Sequence, residues 1–178
     1  AKDELLERYA AATRAIVVGD PESPTTQVGP MVSAGQRETV ESYVARGVEE
    51  GATVIEGGTR PDDPALANGY FLRPTILDGC TNEMTVAREE IFGPVVSVIT
   101  FRDEAEAIRL ANDTPYGLSG SLWTRDGARQ LRVARALRTG CIGVTRTARS
   151  SPRRRSAATS SRASARSSAW RDSSTTRS

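Results

Sequence analysis

Along the first 144 residues, apolar positions switch between helical spacing and short β-branched runs, which predicts helices and strands in turn. Over 2–17, Leu5, Leu6, Tyr9, Ala12 and Ile16 fall at helical spacing, and Gly19-Asp20-Pro21 stops the helix. A loop rich in Pro, Thr and Gly runs to Met31. Ser33 caps a second helix reaching about Glu50, with Val40, Tyr43, Val44 and Val48 on one face, and Gly51 ends it. Residues 52–56 read as a short strand, followed by Gly57-Gly58 and a polar loop to Gly69. Residues 70–77 read as extended, with Pro74 marking an edge or a bulge. The run 95–101 has the near-continuous β-branched character of a buried strand. Helices follow over 103–112 (Ala105, Ile108, Leu110) and 126–138 (Leu131, Ala134, Leu137 inward), with strands at 117–124 and 141–144. The β-α-β-α-β order from 95 to 144 predicts an α/β fold with a mostly parallel sheet, flanking helices and right-handed crossovers.

The pattern ends abruptly at Val144. Residues 145–178 hold nine Arg, eleven Ser, six Ala and five Thr, and no Leu, Ile, Val, Met or Phe. With the single acid Asp172, that stretch carries about +8, whereas 1–144 carries about −6. The formal +2 therefore averages two unlike pieces. A folded α/β body over 1–147 and a basic, low-complexity, disordered tail over 148–178 are expected, since the tail's composition cannot offset the entropy of ordering. His is absent, which removes Ser-His and Cys-His nucleophile pairs within the chain and His-ligated metals. Cys80 and Cys141 are too far apart for a metal-binding spacing, so no metal site is expected. No run approaches the ~18 apolar residues of a membrane span. The charged start without an initiator Met reads as a fragment with no signal peptide, and the expected setting is a reducing cytoplasm.

The segment 87–96, Ala-Arg-Glu-Glu-Ile-Phe-Gly-Pro-Val-Val, is the most informative. A carboxylate before such a turn can accept hydrogen bonds from ribose hydroxyls, and an aromatic can pack on a flat ring. The same residues also make sense as a helix end with solvated acids and a Phe plugging the core. Glu89-Glu90-Ile91-Phe92-Gly93-Pro94 resembles the E-E-x-F-G-P motif of the aldehyde dehydrogenase superfamily. It comes in order with other similar elements: Val18-Gly19-Asp20-Pro21 with Gly29-Pro30-Met31, Gly51-Ala52 with Gly57-Gly58, Gly69-Tyr70-Phe71 with Pro74-Thr75, and Ala111-Asn112 with Tyr116-Gly117-Leu118. Thr139-Gly140 resembles the turn into the family's last core strand.

The resemblance implies part of an aldehyde dehydrogenase catalytic domain, with NAD or NADP as cofactor. Glu90 would bind the ribose of the nicotinamide half and Phe92 would pack near the nicotinamide ring. Glu89 serves packing or capping, and Asn112 and Tyr116-Gly117 shape a loop. In the family, a Cys thiolate adds to the aldehyde, hydride leaves to NAD(P)+, and a Glu-activated water releases the acid. That Cys, that Glu and the dinucleotide-phosphate segment lie upstream of the stretch matched here. Cys141, opening an apolar strand, and Cys80, read as part of a turn, match no nucleophile motif, so no catalytic residue is assigned. The implied partner is an aldehyde substrate in the full-length parent, whose identity the sequence leaves open, as it leaves open NAD against NADP. The family is homo-oligomeric.

After its last core strand the family continues with an Asn and then a P-F-G-G-x-K-x-S-G-x-G element. Here the tail reads Thr-Arg-Thr-Ala-Arg-Ser over 145–150. Encoded ACA CGC ACA GCT CGG TCC, with one A in front and the frame shifted, those six residues become N-T-H-S-S-V. Residues 155–165 likewise admit F-G-G-Y-K-Q-S-G-L-G, and Arg154 allows the preceding Pro. The 23 Arg against Lys2 alone suggest a GC-rich gene, and GC-rich coding DNA read out of frame yields Arg, Ala, Ser and Pro. Such a tail has lost the family's substrate-side wall and pairing strand. Two other readings stand beside it: a non-enzymatic module whose basic tail binds nucleic-acid phosphates, and an inert product of a damaged gene.

Overall fold

The computed structural model describes residues 2–145, so the expected disorder of 148–178 lies outside the described residues. The described residues divide into two compact units, 2–100 and 101–145. The first contains α1 (Lys2–Arg14), α2 (Ala34–Glu49), β1 (Thr53–Glu56), a 3-10 turn (Pro64–Leu66), β2 (Thr75–Cys80), α3 (Thr85–Arg88) and β3 (Val95–Ile99). The second contains α4 (Glu104–Asn112), β4 (Gly120–Leu122), α5 (Gly127–Ala136) and β5 (Ile142–Val144).

The first unit is built on the sheet β1-β2-β3. β1 runs antiparallel to β2 and β3 parallel to it. β2 is therefore the central strand, and the expectation of an edge at Pro74 is corrected, while the register shifts within the sheet fall between Val54 and Glu56 and between Leu77 and Cys80. Pro74 sits just before the strand, where its missing N–H costs no ladder bond. Ile76 and Leu77, successive residues on opposite faces of β2, are 1% and 0% exposed, so the strand is covered on both sides. On one face Leu77 clusters with Val44 of α2, Ala52, Cys80 and Val86 of α3. Tyr43, Val54, Met84, Ile91, Val95 and Ile99 pack around them.

Local chemistry sets the helix ends. Ser33 accepts from the Gln36 N–H at 3.1 Å and caps α2, as expected. Gly51, at φ 108°, takes the left-handed conformation that ends the same helix. α1 stops at Arg14, three residues short of expectation, and it turns a different stripe inward: Leu6, Ala10 and Thr13 are buried, while Leu5 is 63% exposed.

In the second unit, β4 and β5 pair in parallel around α5, a β-α-β unit. β3 hydrogen-bonds to β2 and not to β4, so the continuous β-α-β-α-β sheet expected from 95 to 144 is two sheets among the described residues. Of their three strand pairings, two are parallel. Asp103 and Asp126 cap α4 and α5 by accepting from the N–H groups of Glu106 and Arg129. Val133 is the buried residue of α5, and Leu131, expected inward, is 56% exposed. Glu104 joins the two helices by accepting from Arg129 and Arg132 at 3.1 and 2.6 Å. The Arg102 guanidinium and backbone N–H on Glu106 hold its carboxyl pKa at about 2. No helix among the described residues is long and apolar enough to cross a membrane.

Candidate functional site

Residues 89–94 leave the end of α3 and enter β3 through a turn tied down along its length. The Glu89 N–H donates to the Thr85 carbonyl and closes α3. Its carboxylate accepts from the Tyr43 hydroxyl at 2.6 Å. Ile91 packs on the core cluster. The Phe92 carbonyl accepts from Gln36 Nε2 at 2.9 Å. Gly93 lies so close to α2 that a Cβ there would come within 2.6 Å of a Val40 methyl. The Pro94 carbonyl accepts from the Thr75 N–H at 2.7 Å.

Those anchors decide which side chains face out. Glu89 and Glu90 are exposed, Ile91 is half-buried and Phe92 is 64% exposed. Phe92 therefore does not plug the core, which is the work of Ile91. An aromatic ring and a carboxylate two residues apart stand on a turn whose backbone is tied to α2 and β2. An exposed Phe ring offers a flat apolar face, and the carboxylate offers acceptors for hydroxyl donors. Beside the turn, Val86, Ile91, Val95 and Ile99 line a shallow groove together with Glu89 and Ser97.

Other residues singled out in the sequence make contacts within the fold. Thr75, 1% exposed, accepts from the Gly58 N–H at 2.9 Å and donates to the Arg73 carbonyl at 2.9 Å, so its buried hydroxyl is satisfied. The Gly-Gly, Pro-Thr and Gly-Pro elements thus converge at one residue. The Met31 N–H donates to the Tyr70 carbonyl, and Arg37 donates to the Gly69 carbonyl with its guanidinium 6.0 Å from the Tyr70 ring. Asn112 shapes a loop, as expected, donating to the Ala136 carbonyl and accepting from the Arg138 N–H.

Cys80 is the buried last residue of β2, not part of a turn, and its thiol donates to the Leu77 carbonyl. Burial pushes that thiol's pKa up, the direction that suppresses a nucleophilic thiolate. Cys141 is half-buried just before β5.

The aldehyde dehydrogenase family profile matches residues 1–164. This chain belongs to the aldehyde dehydrogenase family. It is 47% identical over 142 residues to 5-carboxymethyl-2-hydroxymuconate semialdehyde dehydrogenase of Escherichia coli, covering 77% of this chain and 30% of that one. Betaine aldehyde dehydrogenase of Bacillus subtilis is 44% identical over 142 residues, covering 80% and 29%. Among solved structures, Mycobacterium tuberculosis aldehyde dehydrogenase complexed with NAD+ superposes with a TM-score of 0.77 at 43% identity, covering 80% of this chain and 29% of that one. PnpE from Pseudomonas sp. WBC-3 superposes with a TM-score of 0.81 at 41% identity, covering 85% and 31%. The chain thus spans about 30% of the length of the curated relatives it matches.

Proposed function

We propose that this chain is the C-terminal part of the catalytic domain of an NAD(P)-dependent aldehyde dehydrogenase, contributing Glu90 and Phe92 to the cofactor site and no catalytic residue. The observation that carries it is that Glu90 and Phe92 are both exposed on an anchored turn. Glu90 would accept from ribose hydroxyls, and Phe92 would cover one face of the nicotinamide. Bound NAD(P)+ supplies the hydride acceptor for oxidation of an aldehyde to a carboxylic acid. The residues here hold and orient it, while the nucleophile and the general base come from the parent's other segments. The reading also takes the parent to be a cytoplasmic homo-oligomer, as the family resemblance implies.

The test is a titration of the chain with NAD+, followed by backbone amide and Phe92 ring resonances. Changes centred on Glu90 to Gly93, weakened several-fold by Glu90→Gln, are expected. Changes scattered elsewhere, or none, reject the assignment.

The same reading treats residues 145–178 as out of frame. Support comes from the long codon-compatible match to the family's P-F-G-G-x-K-x-S-G-x-G element and from the composition break at Val144. Sequencing the gene around codon 145 is expected to show that one inserted base restores this ending in continuous frame. A gene in which no single insertion does so removes the idea and leaves a genuine basic tail, which salt-dependent nucleic-acid binding would then reveal.

A further inference from the structure

We infer that helix α2 is the template that positions the Glu90–Phe92 turn, with Gln36 and Tyr43 as its positioning residues; this rests on the cofactor reading above. Gln36, Val40, Tyr43, Gly47 and Glu50 are spaced four, three, four and three apart, which puts them on one side of the helix. Each meets the segment 85–93, and the pairing runs antiparallel. Glu50 accepts from the Thr85 N–H at 2.7 Å and from its hydroxyl at 2.5 Å. That carboxylate caps α3, whose own N-cap residue Met84 offers no side-chain acceptor. Gly47 faces Val86 so closely that a Cβ would come within 2.9 Å of a Val86 methyl. Tyr43 holds Glu89, Val40 meets Gly93, and Gln36 holds the Phe92 carbonyl.

The division of labour follows from burial. Val40 and Gly47 are buried and set how near α3 and the turn approach α2. The bonds from Tyr43 and Gln36 are exposed, so water can replace them at little cost in stability. What water cannot replace is the fixed direction of the backbone on either side of Glu90. Glu90 and Phe92 are exposed on a backbone whose residues 89 and 92 are clamped from the same helix. A cofactor that needs both side chains at once gains from that pre-organisation.

The test uses the whole chain with Gln36→Met, which keeps length and removes the donor, and Tyr43→Phe, which keeps the ring. Val48→Ala, an exposed residue off the stripe, is the control. NAD+ affinity is followed by the resonances of Glu90 and Phe92, and thermal unfolding is recorded for every variant. Each stripe variant is expected to raise Kd roughly fivefold, the equivalent of one ordinary hydrogen bond, with the unfolding midpoint unchanged. Val48→Ala is expected to change neither. Kd values equal to the parent's overturn the positioning role and leave the cofactor reading intact. Affinity lost only in proportion to folded protein also overturns it. A parent chain that shows no response at Glu90 or Phe92 overturns the cofactor reading, and the positioning role with it.

Discussion

The purified chain is expected to leave NAD+ and NADP+ unreduced whatever aldehyde is offered. The two thiols decide this. Aldehyde oxidation in this family starts from a thiolate, so a competent Cys must be reachable and its thiol readily ionised. Cys80 is 4% exposed, and its thiol is spent on the Leu77 carbonyl. Burial shifts its pKa the wrong way. Cys141 is half-buried, and Thr139 Oγ1 donates to the carbonyl of that residue, not to its sulfur. The chain has no His to act as its base. Substrate binding without a nucleophile gives no chemistry, so the expected rate is the uncatalysed one. Formation of reduced cofactor is the measurement. Turnover that disappears in Cys80→Ala or Cys141→Ala would show that the chemistry is carried within these residues after all.

Much of the fold was legible because its signals are local. Ser33, Asp103 and Asp126 are short polar side chains placed just before apolar periodic runs, and each caps the helix that follows. Gly51 ends α2 by a conformation that other residues adopt at a cost. The candidate turn was legible as a motif, but its geometry was not. An aromatic next to a Gly-Pro turn is equally consistent with a core plug and an exposed plate. Only the packing of Ile91 and the clamp on the Phe92 carbonyl decide between them.

Non-local pairings escaped for the same reason. The strand order β1-β2-β3 depends on contacts between residues 53–56, 75–80 and 95–99, and no local period reports them. Pro74 looked like an edge marker because a Pro within a strand would remove a ladder bond. Placed one residue before β2 it removes none. The stripe on α2 has visible spacing, yet its partner lies far along the chain at Thr85 to Gly93. In the sequence Glu50 marks only the end of one helix, while in the fold it caps another. Its carboxyl pKa is held below the usual range, first by the Thr85 hydroxyl.

Replacing Gly57 with Ala is expected to destabilise the first unit by about 3 kcal/mol, among the larger effects of single substitutions. Two causes add. Gly57 has φ 79°, in the left-handed region where a side chain costs roughly 1–2 kcal/mol. A Cβ there would also fall 2.1 Å from the Pro74 carbonyl oxygen and 2.9 Å from Thr75 Cα. Both are backbone atoms at the start of the central strand, so neither can swing aside as a side-chain tip could. Relief requires β1 and β2 to separate, which strains the Gly58 bond to the buried Thr75 hydroxyl and the Thr75 bond to Pro94. The disturbance therefore reaches the Glu90–Phe92 turn as well as the core. Gly79 isolates the first cause, since it has φ 72° and a Cβ added there would meet nothing within 4 Å. Gly79→Ala is expected to cost only about 1 kcal/mol. In urea, with a slope of about 1–3 kcal/mol per molar, the midpoint of Gly57→Ala should fall by roughly 1 M or more and clearly further than that of Gly79→Ala. Equal midpoints for the two variants would mean that backbone conformation alone accounts for Gly57 and that the contact with Pro74 yields easily.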